Sequence, residues 1–296
     1  MKKPSTVLVK NKIDTVAIGS FDGIHLGHMQ LINRLGENGA LFVIDKDNAN
    51  LTPGIKRIEY SKHPCMFYHF LKVKELSGKE FVELLKKQFV NLKKIVVGYD
   101  FVFGKNRSCN ATDLKKSFPG EVEIVDEFLY DGISVHSSLI RELLMSQQVD
   151  RANKFFGREY SIVGKVIKGQ GIGSKELVPT INIKVKDYLL PSNGVYASRT
   201  KVGEKIYNSV SFIGNRVSTD GNFSVETHIL DENIEVGDEI EIFFVYFLRE
   251  NKKFDNLQAL KRQIAQDIQN ARCMLKVCKF YNYELSSCKE KGCING

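Results

Sequence analysis

Apolar positions follow two different rhythms along the chain. In the first half, short unbroken apolar runs separate stretches of helical spacing. Val16-Ala17-Ile18 reads as the end of a buried strand within a short strand pair over residues 7 to 18, and residues 28 to 36 predict a helix. Leu41 to Ile44 reads as a further strand. Residues 13 to 45 therefore make a β-α-β unit, which implies a parallel sheet and a right-handed crossover. Residues 79 to 89 carry apolar residues at helical spacing with charges between them, and Lys94 to Gly98 and Glu121 to Val125 predict two more strands. At Ser137-Ser138 two hydroxyls stand where a helix begins, so a serine cap is expected, with Arg141 one turn in.

From Arg158 the rhythm shortens. Tyr160 to Ile167 alternates as a strand does, and strand patterns recur at Thr180 to Lys184, Val195 to Thr200, Ser209 to Ile213, Phe223 to Leu230 and Glu239 to Phe247. Close strands with turn signals between them predict an antiparallel barrel or sandwich, closed by a helix over Asn256 to Ala271. The expected organisation is an α/β, Rossmann-like domain with a parallel sheet over 1–155, a β-barrel domain over 156–275, and a tail over 276–296 that carries no fold signal.

Composition adds limits. The 296 residues suffice for roughly two domains, and 43% apolar with 26% charged residues fits a soluble globular chain. A net charge of +8 favours anionic partners, although solvated lysine-rich faces account for it equally well. No apolar run approaches the ~18 residues that span a bilayer, and Met1-Lys2-Lys3-Pro4 is not followed by a signal-peptide core. The expectation is a cytoplasmic protein, a monomer, with neither membrane nor nucleic acid as partner. Six cysteines (65, 109, 273, 278, 288 and 293) in so long a chain predict free thiols in a reducing compartment. The spacing of the last four is looser than a zinc knuckle requires.

The chemistry concentrates between the first strand and the first helix. Gly19 to Gly27 places three glycines, Asp22 and His25 in a tight turn, and His28 follows one helical turn later. Such a junction collects unpaired backbone N-H groups and favours an anion. Two imidazoles there suit phosphoryl chemistry, where they donate to charge that develops on transferring oxygens. A zinc pair would need two more ligands that the sequence does not place.

The stretch reads G-x-F-D-G-x-H-x-G-H. Together with Gly98-x-Asp100-Phe101-x-Phe103-Gly104 and Ser137-Ser138-x-Ile140-Arg141, it resembles the bacterial bifunctional riboflavin kinase/FMN adenylyltransferase (FAD synthetase) family over about residues 10 to 272. The resemblance implies a nucleotidyltransferase domain that transfers AMP from ATP to FMN and releases pyrophosphate. Gly19, Ser20, Phe21, Asp22, Gly27, His25 and His28 would line the ATP site, with Ser137, Ser138 and Arg141 on its opposite wall and Asp100 at the flavin. One departure is clear: the family's F-x-P-H-P-like stretch is here Phe42-Val43-Ile44-Asp45-Lys46-Asp47-Asn48, so the loop expected to help hold flavin is altered.

The second domain carries Gly173 to Asn182, similar to the riboflavin kinase signature G-r-x-L-G-F-P-T-A-N, and Val225-Glu226-Thr227-His228-Ile229-Leu230, similar to V-E-x-H-I-L-D. The likeness implies that Thr180 and Asn182, two apart on an extended segment, hold Mg2+ and phosphate together. Glu226 would be the general base toward the riboflavin 5'-hydroxyl. Gly164, Lys168 and Gly173 would belong to a loop over the nucleotide, and Arg249 to the flavin site. ATP, riboflavin and FMN are the implied substrates. Two other readings remain: a kinase whose N-terminal domain has altered or lost its transferase activity, and a basic flavin- or RNA-binding regulator that has kept the fold.

Overall fold

The computed structural model describes residues 7–47, 49–167, 178–216, 221–230 and 234–277. Two compact units emerge: Met1–Gln147 with Ile162–Gly164 and Lys184–Ser192, and Gln148–Ser161 with Lys165–Ile183 and Asn193–Gly296. No described helix is long and apolar enough to cross a membrane.

The first unit runs β1 (Thr15–Gly19), α1 (Leu26–Ile32), β2 (Gly39–Asp45), α2 (Lys56–Ser61), β3 (Cys65–His69), α3 (Gly78–Gln88), β4 (Lys94–Gly98), β5 (Val102–Phe103), β6 (Cys109–Asn110), α4 (Ala111–Ser117), β7 (Glu121–Val125), β8 (Leu129–Tyr130), β9 (Ile133–Ser134) and α5 (Ser137–Met145). Five strands form one sheet in the order β3-β2-β1-β4-β7, and every pairing is parallel. Because both faces are covered, the central strands are apolar throughout rather than alternating. Val16, Ile18, Phe42, Ile95 and Val97 face α3 and α4, while Ala17, Leu41, Val43 and Val96 face α1 and its neighbours. The α3 start is fixed by a capping box, in which Ser77 Oγ accepts from Glu80 N and Glu80 Oε2 accepts from Ser77 N.

Several elements differ from the sequence expectation. Residues 7 to 18 make one strand and a single 3-10 turn at Lys10–Lys12, not a strand pair. Helix α1 starts two residues earlier and ends four residues earlier than the expected 28 to 36; the His25 side chain caps its start. Strand β3 and helices α2 and α4 add to the expected pattern.

The second unit opens with α6 (Val149–Phe156). The chain then runs through β10 (Tyr160–Ile167), β11 (Ile181–Val185), β12 (Gly194–Val202), β13 (Lys205–Asn215), β14 (Phe223–Ile229) and β15 (Glu239–Arg249) to α7 (Leu257–Val277). The six strands close into a barrel in the order β10-β11-β14-β13-β12-β15. Asn153 ties α6 to this unit: its Nδ2 donates to the Phe244 carbonyl at 2.8 Å, and its Oδ1 accepts from Tyr160 N at 2.7 Å. Helix α7 packs outside the barrel through Ala271 and Leu275 against Ala197 and Val245.

Opposite that apolar outer face, the barrel wall carries hydroxyls. Ser198, Ser209, Thr200, Thr227 and Ser211 are all buried and form a closed cycle of hydrogen bonds of 2.7 to 3.0 Å. Five hydroxyls in a cycle can each donate once and accept once, so none is left unsatisfied. Ser209→Ala opens the cycle and strands two neighbours; a loss of about 1–3 kcal/mol in urea unfolding is expected.

Cys65 lies beneath α2, where burial pushes its thiol up to about 11. Cys273, on α7, is exposed. At pH 8, iodoacetamide should therefore alkylate Cys273 well before Cys65, and peptide mapping over time reads the order.

Candidate active site

In an open parallel sheet a crevice forms where neighbouring strands connect in opposite directions. Here that point lies between β1 and β4, and the turn after β1 sits at it. The turn is strained. Phe21 (φ 51°) and Ile24 (φ 38°) lie in the left-handed region beside Gly23 (φ 97°), which costs of order 1–3 kcal/mol for each non-glycine residue. Burial of the Phe21 and Ile24 side chains in the core offsets the cost, and Gly23 N donates to Thr52 Oγ1 at 2.7 Å.

Asp22 holds the turn to the rest of the unit. The residue is 3% exposed, and its carboxylate accepts from the backbone N-H groups of Asn50 (3.2 Å), Leu51 (3.0 Å) and Thr52 (2.9 Å). Arg141 Nη2 also donates to it, while Arg141 Nε donates to Asn50 Oδ1 at 3.0 Å. Arg141 thus turns inward, and Asp22 anchors the loop after β2.

The serine-cap expectation is corrected. The cap position of α5 belongs to His136, which makes no side-chain capping bond, and Ser137 is the first helical residue. Its hydroxyl donates instead to the Asp22 carbonyl at 2.7 Å, an acceptor that the tight turn leaves without a strand partner.

His25 Nδ1 accepts from His28 N at 3.3 Å, which places the proton of the neutral ring on Nε2. The two imidazoles stack at 3.7 Å between centroids, and Phe21 lies 5.2 Å from His28. Gly27 is tightly enclosed: a Cβ there would meet the Val135 carbonyl at 3.1 Å and His25 Nδ1 at 3.2 Å, so its neighbours would have to give by a few tenths of an ångström. The close approach at this glycine is therefore made by the protein itself.

Both histidines, with Gly19, Ser20, Gly27 and Asp100, line a cavity of about 340 Å3 over the ends of β1, β4 and β7. On its far rim Tyr99 donates to Glu127 Oε1 at 3.0 Å, Ser134 donates to the same oxygen, and Ser134 Oγ lies 2.6 Å from His136 Nε2. These hydrogen bonds, led by that of Ser134, hold the Glu127 carboxyl below its ordinary range. Ser138 is exposed and does not line the cavity.

In the barrel, Asn182 on β11 stands opposite Glu226 on β14, so the two share one face of the sheet. Thr180 precedes β11 directly, and Arg216 Nη1 approaches Glu226 Oε1 at 3.4 Å. Gly164 is a buried residue within β10, not a loop residue. Lys168 and Gly173 lie outside the described residues. Arg249 forms a fork with Asp267 on α7, through Nε at 2.9 Å and Nη2 at 2.7 Å, and so fastens the closing helix to the end of β15. No group of three or more His, Cys, Asp or Glu side chains suited to a metal occurs among the described residues. Cys278, Cys288 and Cys293 lie outside them.

A nucleotidyltransferase-like α/β unit and a six-stranded barrel on one chain define a narrow class. Residues 156–275 match the riboflavin kinase family, and residues 45–139 match the FAD synthetase family. A bifunctional riboflavin kinase/FMN adenylyltransferase of Buchnera aphidicola from Acyrthosiphon pisum is 32% identical over 92% of this chain and 95% of its own length. That of Listeria monocytogenes is 31% identical (88% and 92%), and that of Escherichia coli K12 is 28% identical (87% and 91%). A solved structure titled macrolide-efflux protein, from Streptococcus pneumoniae, superposes with a TM-score of 0.79 at 25% identity, covering 90% of this chain and 98% of that one. The chain belongs to the bifunctional riboflavin kinase/FMN adenylyltransferase family.

Asp22→Ala would leave three backbone N-H groups and Arg141 without their acceptor in a buried setting. The expected cost is about 3–5 kcal/mol, read by circular dichroism in urea.

Proposed function

We propose that the chain makes FAD from riboflavin in two ATP-dependent steps. Residues 156–275 phosphorylate riboflavin, and residues 1–155 adenylylate the product. The observation that carries this reading is the presence, on one chain, of a stacked histidine pair at the sheet crevice and an Asn182–Glu226 facing pair on the barrel.

In the first step Glu226 takes the proton of the riboflavin 5'-hydroxyl as that oxygen attacks the γ-phosphorus of ATP. The bond to the β,γ-bridging oxygen breaks, and ADP leaves. Arg216 orients the carboxylate. Thr180 and Asn182 offer hard oxygen donors from one extended segment, a donor set that fits Mg2+, which supplies neutralising charge at the phosphates when bound.

In the second step a phosphate oxygen of FMN attacks the α-phosphorus of a second ATP, the α,β-bridge breaks, and pyrophosphate leaves. The attacking oxygen is already ionised at neutral pH, so no protein base is needed. His25 and His28 donate to the charge that develops, which is why a fixed tautomer serves better than a mobile ring. Arg141 and Ser137 act through Asp22 by setting the turn that presents those histidines. Asp100, which lines the histidine cavity, we read as a flavin contact, and Arg249 as the anchor of α7. The reading places the enzyme in the cytoplasm as a monomer, with only small molecules as partners.

Purified protein with riboflavin, ATP and Mg2+ should yield FMN and then FAD on chromatography, and absence of both would overturn the proposal. His28→Ala should stop the sequence at FMN, with adenylylation lowered about 100-fold or more. Glu226→Ala should abolish FMN formation yet still convert supplied FMN to FAD.

A further inference from the structure

Beside the histidine cavity lies a second, smaller one of about 190 Å3. It opens on the other flank of β1, over the end of β2, and Ser20 and Ser137 line both cavities. Its charged lining consists of Asp22, Asp45, Lys46, Arg57 and Arg141.

Arg57 is unusual among these. It sits on α2, only 1% exposed, and is among the largest fully buried side chains of the chain. Its Nη1 reaches Asp45 Oδ2 at 3.2 Å, and the guanidinium lies 5.4 Å from the Phe67 ring. Its Nε is buried with no hydrogen-bond partner. Arg57 nonetheless lines the cavity, and a buried charged donor at a cavity wall is where an anion offsets the cost of burying the charge. The charge balance agrees. Three cations face two carboxylates, and both carboxylates are already bonded: Asp22 to three backbone N-H groups and Arg141, Asp45 to Arg57 and to Asp47 N.

The geometry points to Arg57 as the residue that binds the 5'-phosphate of the acceptor flavin in this cavity, and so makes FMN rather than riboflavin the substrate for adenylylation. The inference rests on the adenylyl-transfer reading. FMN differs from riboflavin only by a phosphate that is close to dianionic at neutral pH, so discrimination requires a cation that reads it. That phosphate must also abut the α-phosphorus of ATP, and the shared wall of Ser20 and Ser137 puts the two cavities in contact. A planar guanidinium offers parallel donors to phosphate oxygens that a lysine cannot reproduce.

Arg57→Lys keeps the charge and removes Nε and the fork. With FMN supplied and riboflavin omitted, KM for FMN should rise about 10- to 100-fold, the loss of one or two charged hydrogen bonds. KM for ATP and kcat should stay within about twofold, inside the energy of a single weak contact. Independently of turnover, inorganic phosphate should raise the melting temperature of the wild-type chain more than that of Arg57→Lys, since ligand bound only to the folded state stabilises it. An unchanged KM for FMN, or KM values for FMN and ATP that rise together, overturns the assignment. So does an equal phosphate effect on both proteins. If the wild-type chain makes no FAD from FMN, the adenylyl-transfer reading falls, and with it the acceptor role; the phosphate comparison then decides whether Arg57 marks an anion site at all.

Discussion

The N-terminal site depends on one buried carboxylate. Asp22 stands in a turn whose backbone is strained on both sides, and it collects three N-H groups from the loop after β2 and the guanidinium of α5. An isolated charge at 3% exposure would be prohibitive; this one is stable because its acceptor capacity is used by fixed donors. The same bonds make the strain at Phe21 and Ile24 tolerable and decide where the histidine pair lies. Position in the crevice follows from strand order, and orientation follows from Asp22.

Much of this was legible from the residues. The run Val16 to Ile18 names a buried strand, the glycines name the turn, and the spacing of His25 and His28 brings the two rings together at the cavity. The barrel strands could be read because antiparallel pairing with one apolar face enforces alternation. Less visible were features that depend on tertiary partners. Ser137 looks like a cap in sequence, but its hydroxyl serves the Asp22 carbonyl 115 residues away. Arg57 lies in the charged stretch Lys56-Arg57-Ile58-Glu59, and only the fold shows its burial. Asp45 follows a strand without any sign that it will pair with that arginine. The family's F-x-P-H-P-like stretch is absent from this region, and in its place the end of β2 presents Asp45 and Lys46 to the smaller cavity.

The two units handle phosphate by different means. On the proposed reading, rings and guanidinium groups held by a network in the sheet unit serve a reaction whose nucleophile is already charged. In the barrel a carboxylate faces an amide across paired strands, and the proposed hydroxyl nucleophile calls for such a base. The buried hydroxyl cycle fixes the register of β12, β13 and β14, and so sets where Glu226 emerges on the opposite face.

The central claim is that two separate sites on one chain share a diffusible intermediate. The most direct measurement mixes two inactive halves: His28→Ala protein and Glu226→Ala protein, each unable to convert riboflavin to FAD alone, incubated together with riboflavin, ATP and magnesium. The account predicts FAD after a lag in which free FMN accumulates. A mixture that makes FMN but no FAD, although the Glu226→Ala protein converts supplied FMN when alone, would contradict it.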